Sequence, residues 1–465
     1  MLLLANEMRK NTYACASRAA VLCGSAQSRF DHVFRQSGRQ HQGVEMMASG
    51  CRGGFVVSRQ PVFDRRLQPW GSAVDFGQAP EEDPLFSDEL TASFLLEAYM
   101  PHRGPSEEQT IVSLSANAIL DGIPYILSPQ RVYLEVEEAA GEDPNIPRAV
   151  QKLKRAGYGI AVGGFSGCSS CSDLIGLADV LILDAQSQDP GGGEAALAER
   201  ILGARQSGAK VQVRGLTSWQ GLLQARAANA DMFQGFFFNR MNLAQGGKSV
   251  TASQLSRLRL LECIEKDDAD YKALAQLVEA DAALTYRLLV FLNSAHFGFG
   301  RKVRSIEQAI VLAGWKPLKN WLKIVLLTTF SPSPRHQELC YYSAQRSDFL
   351  QRVAKSAGLE RIGPSLSLLG LLSYMEPILE MPMDQVLANV PVEDDVRLAL
   401  CGKKSRLSAW LALVQAMEWA DWDHAERLAQ SAGLTMADLA RCYRESFAQA
   451  DTLFRVLGAP PLAAA

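Results

Sequence analysis

Between Gly54 and about Phe238, short apolar runs rich in β-formers alternate with stretches whose apolar positions recur every three or four residues. The runs are GFVVSRQPVF, TIVSLS, RVYLEVE, GIAV, VLILDA, KVQVRG and MFQGFFF. The stretches between several of them are SDELTASFLLEAYM, IPRAVQKLKRAG, EAALAERILGARQSG and SWQGLLQARAANA. Strand–helix alternation with short connections predicts a parallel α/β domain. The strands are near-continuous in apolar residues, which predicts a sheet covered on both faces. This rhythm fits an open doubly wound sheet and a closed barrel equally well. After NLAQGGKS the rhythm changes. SQLSRLRLLECIEK, YKALAQLVEAD, LTYRLLVFLNSA, SIEQAIVLAG, KPLKNWLKIVLLTTF and LSAWLALVQAMEWA all carry helical periodicity, with no convincing strand among them. Asp281 and Ser305 each precede such a run and are placed to cap it. The pattern divides the chain into an extension (1–53), an α/β domain (54–245), an all-α domain (246–447) and a tail (448–465).

Composition adds limits. A chain of 465 residues can build two or three domains, each with its own core. A net charge of −3 excludes a chain-wide electrostatic design for nucleic acid or anionic lipid, so neither a nucleic-acid polymer nor a membrane is an expected partner. The nine cysteines are an odd count, and only Cys168 and Cys171 stand at motif spacing. This fits reduced thiols in a cytoplasmic protein better than a disulfide framework. No uninterrupted apolar run is long enough to cross a bilayer. Residues 1–50 are basic and lack sustained periodicity; the expectation is a disordered extension, or a start placed upstream of a true one at Met46 or Met47.

Several features invite chemistry. GGFSGCSSCSD, residues 163–173, follows an apolar run, but its glycines fit neither a dinucleotide fingerprint nor a P-loop. Cys168 and Cys171 could form a redox pair, yet no thioredoxin-like start precedes them and no second pair completes a zinc site. Two small residues opening a helix is the better expectation. Arg301, Lys302, Arg304, Lys316, Lys319 and Lys323 form a basic cluster, and the three lysines share one helical face, expected to be solvated. Trp315, Trp321, Trp410, Trp419 and Trp422 are expected in the core.

FVVSRQPVFDRRLQPWG resembles the opening of bacterial EAL domains in the branch where EAL is fused to an HDOD domain. VYLEVEE, AVQKLKRAGYGIAVGGF, ADVLILD and MFQGFFFNR continue the likeness. LAQLVEADAALTYRLLVFLNSAHFGFGRKVRSIEQAIVLAGWKPLKNWLKIVLLT then resembles HDOD, and the likeness runs from about residue 54 to 445. The resemblance implies a TIM-barrel-like EAL domain followed by an all-helical HDOD domain. Active EAL domains hydrolyse cyclic di-GMP with two divalent cations held by a ring of carboxylates with an Asn, a Lys and a Gln.

Carried over position by position, that ring is depleted. Ala73, Ser113, Gly163, Gly164, Ile182, Arg214 and Thr217 stand where the family places its metal-binding or catalytic residues. Gly77 replaces an Arg of the first motif. Glu135, Asp184 and Gln234 remain. Where an HD-type enzyme would carry its His-Asp pair, Ser373 and Tyr374 appear, and His296 stands alone. The resemblance so read implies a non-catalytic signalling protein without metal or cofactor, acting through other signalling proteins. The alternatives are a receptor that binds cyclic di-GMP weakly without cutting it, or a weakly active phosphodiesterase.

Overall fold

The computed structural model describes residues 56–77, 109–167, 169–185, 194–240, 251–265, 314–328, 334–388 and 390–457. The extension at 1–53, Cys168, Asp281, His296, Arg301, Lys302, Arg304 and Ser305 lie outside these residues.

The strands are β1 (Val56–Asp64), β2 (Pro69–Gly77), β3 (Gln109–Ser113), β4 (Val132–Glu137), β5 (Gly159–Gly163), β6 (Val180–Asp184), β7 (Lys210–Arg214) and β8 (Met232–Gln234). They close into a barrel in chain order. β1 runs antiparallel to both its neighbours, β2 and β8, and every other pairing is parallel. Closure resolves the choice that periodicity left open. It also adds β2, which the apolar pattern does not mark because Pro69, Gly71 and Ser72 interrupt it. A tight turn joins β1 to β2: the Asp64 carboxylate accepts from the amides of Arg66 and Gln68, each at 2.8 Å.

Strand residues alternate between two environments, as period-two geometry requires. Val62, Ala73, Ile111, Ala161, Val180, Ile182 and Met232 pack together inside the barrel. Their neighbours Val112, Leu134, Val162, Leu181, Val213 and Phe233 face the outer core. Three helices at the predicted places follow β4, β6 and β7: α1 (Asn145–Arg155), α2 (Glu194–Arg205) and α3 (Trp219–Ala227).

The described remainder is helical: α4 (Ala252–Glu265), α5 (Trp315–Thr328), α6 (Pro334–Ser356), α7 (Gly363–Leu372), α8 (Ser408–Glu418) and α9 (Met436–Leu457), with shorter helices between. α6 is central and packs against α5, α7, α8 and α9. Residues Glu360–Leu379 are long and apolar enough to pass for a membrane span, but 72% of the stretch is buried inside the fold, as befits a core helix. Two expectations need correction. α9 runs to Leu457, and within it Ala450 is buried and Asp451 accepts from the Tyr341 hydroxyl at 2.7 Å, so packed helix extends past residue 447 into the expected tail. Trp321 is fully buried as expected, but Trp419 is 39% exposed, because it follows the last turn of α8 at a surface corner.

The barrel and the helices share one continuous core. The aromatic run after β8 drives into the junction: Phe236 meets Tyr342 at 5.3 Å and Phe238 meets Tyr374 at 6.1 Å between ring centroids.

Candidate functional site

The parallel strands end at one mouth of the barrel, where the inward side chains are polar. Strand register brings Glu135 level with Ser113, Glu137 with Gly163, and Asp184 with Arg214. Glu135 and Glu137 share a face of β4. Asp75 shares the inward face of β2 with Ala73, two residues before it.

Arg214 stands among these carboxyls. Its Nε donates to Asp184 Oδ1 at 2.5 Å and its Nη2 to Asp184 Oδ2 at 3.0 Å, a bidentate fork. Nη1 donates to Glu135 Oε1, and Nη2 lies 3.3 Å from Glu137 Oε1. Glu135 is buried and Glu137 half-exposed. A guanidinium has donors and no lone pair to give, so it meets the carboxylates as a fixed cation. Sequence reading expected Glu135 and Asp184 at strand ends, and the structure brings both to Arg214. It missed Glu137 and Asp75, although the two-residue alternation from Glu135 and Ala73 marks both.

Gly163 and Gly164 complete this arrangement. A Cβ on Gly163 would strike Glu135 Oε1 and come within 2.9 Å of Glu137 Oε1. Gly164 has φ +64°, and a Cβ there would lie 2.5 Å from Glu137 Oε2. The following loop is fastened by the buried Glu138. Its Oε2 accepts from Ser166 N at 2.7 Å and Ser166 Oγ at 2.6 Å, and its Oε1 from Gly167 N at 3.1 Å. The loop's amides thus cradle an internal carboxylate, as successive turn N–H groups do for anions. Cys171 is buried at the start of a short helix (Ser172–Ile175).

The remaining ring positions are placed as follows. Ala73 and Ile182 belong to the apolar interior. Ser113 ends β3, and Thr217 lies in the loop after β7. Gln234, buried at the end of β8, accepts from Gln212 Nε2 at 2.6 Å and donates to Gln60 Oε1 at 2.9 Å.

Burial pushes the Glu135 carboxyl up to about 8, against the pull of Arg214 and with help from Asp75, Glu137 and Asp184. Burial raises Asp75 as well. Arg214 is moved up: burial alone would lower it, but the Asp184 hydrogen bond and the three carboxylates outweigh that. Glu135 therefore binds its proton more tightly in the folded chain than in the unfolded one. Its contribution to stability is full below its ordinary 4.5 and is lost as pH rises through about 8. Glu135→Gln is expected to flatten the fall of stability between these limits, read as urea midpoints of both proteins across the range.

In the helical half, the expected solvated lysine face is corrected. Lys323 is buried and pairs with Glu265 of α4, and Lys319 reaches the same carboxylate at 3.2 Å. Lys323 Nζ also donates to Ser367 Oγ at 3.1 Å, and burial lowers its pKa. The adjoining cavity, lined by Asn320, Lys323, Ser347 and Asp348 among others, is about 20 Å³, room for one water and far short of a nucleotide. Ser373 and Tyr374 stand beside a second internal ion pair, Arg346 with Glu418. Arg346 Nη2 donates to Glu418 Oε2 at 2.6 Å and Nε to Oε1 at 2.7 Å, while Nη1 reaches Ser373 Oγ at 2.8 Å. Among the described residues, no group of three or more His, Cys, Asp or Glu side chains is arranged to hold a metal ion.

Residues 254–387 match the HDOD domain family model. The chain is 23% identical over 391 residues to the cyclic di-GMP phosphodiesterase CdgJ of Vibrio cholerae, covering 82% of this chain and 89% of that protein. The helical half therefore carries an HDOD domain behind the eight-stranded barrel. The chain is also similar to YuxH of Bacillus subtilis, 24% identical over 405 residues, 84% of this chain and 96% of the relative. Similar solved structures include Klebsiella pneumoniae BlrP1 in a calcium and cyclic di-GMP complex (18% identity, 40% of this chain and 55% of that one, TM-score 0.33). Another is the Pseudomonas aeruginosa FimX EAL domain bound to cyclic di-GMP (16%, 42% and 90%, TM-score 0.33).

Proposed function

We propose that this EAL–HDOD chain is a non-catalytic regulator in cyclic di-GMP signalling, acting in the cytoplasm through contacts with other signalling proteins. One observation carries the reading: the Arg214 guanidinium sits among Glu135, Asp184 and Glu137, where a pair of divalent cations would need those oxygens. The described residues do not fit two such cations. The guanidinium stands as a fixed positive charge where the cations would sit and bonds the oxygens they would need, and Gly163 and Gly164 offer no side-chain oxygen in their place.

The mouth also disfavours the substrate. The Arg214 guanidinium is already engaged by Asp184, Glu135 and Glu137, so the phosphates would have to displace these carboxyl groups from it. This weighs against a receptor role. The partner surface is assigned to the HDOD half.

CdgJ is named a phosphodiesterase, so hydrolysis is the direct competitor of this reading. Incubation of the full chain with cyclic di-GMP and Mn²⁺ or Mg²⁺ is expected to give no linear dinucleotide; turnover above the protein-free control overturns the proposal. Calorimetric titration with cyclic di-GMP is expected to show no binding at micromolar concentration, about −8 kcal/mol. Tighter binding makes the barrel a receptor. Gly163→Asp is expected to restore no hydrolysis, because Arg214 still holds the neighbouring oxygens, and to lower the melting temperature, because the Glu135 and Glu137 side-chain ends must shift away from the new Cβ. Thermal melting and the same product assay check both halves of that expectation.

A further inference from the structure

The helical half reaches the barrel mouth through a main-chain carbonyl. Ser58 and Gln60 alternate with Val62 on β1, and Val62 packs in the barrel interior, so all three stand on the inward face. Register agrees, since Gln60 is paired with the interior residue Ala73 and Ser58 with Asp75. Both side chains donate to the carbonyl oxygen of Glu418, the last residue of α8: Ser58 Oγ at 2.9 Å and Gln60 Nε2 at 3.1 Å. The Gln60 oxygen in turn accepts from Gln234 Nε2, and the Gln234 oxygen from Gln212 Nε2. The amides therefore run head to tail, Gln212 to Gln234 to Gln60 to Glu418, from the barrel interior into the helical half. All four residues are buried.

The junction has two unlike parts. The outward face of β1 is anchored: Arg59 lies over the Tyr341 ring and 3.9 Å from Asp451, and its carbonyl accepts from the Tyr342 hydroxyl at 3.3 Å. The inward face meets the helical half, among the described residues, through the bonds of Ser58 and Gln60 to a carbonyl on the partially negative end of a helix. The corner just beyond is strained. Ala420 has φ 58°, in the left-handed region, and Trp419 before it is partly exposed. Side chains elsewhere in the corner are committed inside the helical half, Glu418 to Arg346 above all.

We infer that the Glu418–Ala420 corner is a latch on the barrel mouth. Docked, its carbonyl covers the inner face of β1 and engages Gln60, and through it Gln234. Released, it frees Ser58, Gln60 and Gln234 to face the mouth while the aromatic anchor on the outer face stays in place. Any ligand of the helical half that moves this corner changes what the mouth presents. By linkage, a mouth ligand that engages Gln60 or Gln234 loosens the corner by the same free energy. The latch is independent of whether the barrel cuts a substrate.

Hydrogen–deuterium exchange on the full chain tests this. Gln234 hydrogen-bonds Gln60 and Gln212 rather than the Glu418 carbonyl, yet Gln234→Met is expected to raise exchange at residues 416–421 roughly fivefold, as Gln60→Met does, while α7 keeps its wild-type protection. Ser58→Ala removes one donor, leaves the relay intact, and is expected to give a smaller rise at the same residues; it serves should Gln60→Met fail to fold. Wild-type exchange at 416–421 in Gln234→Met, or a rise spread evenly over every segment, overturns the latch.

Discussion

Arg214→Met is expected to lower the stability of the chain by about 3–5 kcal/mol at neutral pH, the scale seen when one partner is removed from a buried ion pair. The change strips the cation from a mouth where Glu135, Asp184 and Glu137 all direct oxygens at it. Asp75 feels the same cation, so Asp184 and Glu137 lose their counter-ion while burial holds protons on Glu135 and Asp75 more tightly still. The sign with pH follows. Arg214 holds down the raised Glu135 and Asp75 carboxyls, so without it these two bind protons more tightly in the folded chain, and the penalty is largest at high pH and shrinks as they protonate on acidification. Urea denaturation at pH 5 and pH 8 reads both features. Arg214→Lys is expected to recover part of the loss, since it returns a charge without the planar fork that grips both oxygens of Asp184. An Arg214→Met midpoint equal to wild type at pH 8 would show that the cluster is not held by its cation.

How far the sequence reaches depends on what kind of information each feature carries. Alternating strand and helix periodicity was enough to place α1 to α3 and seven strands, because each has an apolar face of the proper repeat. β2 escaped because its residues suit a barrel that tolerates small groups near a close neighbour, and Pro69, Gly71 and Ser72 carry no apolar signal. Barrel closure is a property of all eight registers together, so no single run encodes it. At the mouth, Glu135, Asp184 and Gln234 were legible from the family resemblance, and Arg214 was visible at a position of the ring. Its role as counter-ion was not, because that depends on three strands meeting. The lysine stripe of α5 misleads for a similar reason: a helix face of Lys319 and Lys323 looks solvated until the distant Glu265 is brought beside it. The contact of Ser58 and Gln60 with Glu418 is the least legible of all, since the acceptor is backbone and leaves no mark in residue type.

The second large effect belongs to the helical half. Arg346→Met is expected to cost about 3–5 kcal/mol, again by urea denaturation, because Glu418 would be left fully buried without its counter-ion. The Tyr374 hydroxyl, 3.3 Å from Glu418 Oε2, is the donor that remains to it, and one neutral donor cannot replace a bidentate guanidinium. Charge, not packing volume, makes this site fragile. The double change Arg346→Met with Glu418→Met is therefore expected to be less destabilised than Arg346→Met alone, since it leaves no buried charge behind. A cycle built from the two single variants and the double should return a coupling of several kcal/mol; independent, additive losses would mean that the pair does not act as a unit. The Glu418 carbonyl that faces Ser58 and Gln60 belongs to the main chain, so it is expected to keep these bonds in every member of the cycle. Stability lost through the ion pair can thus be separated from docking at the barrel mouth, because exchange at 416–421 should remain tied to Gln60 and Gln234 even where the side chain of residue 418 is apolar.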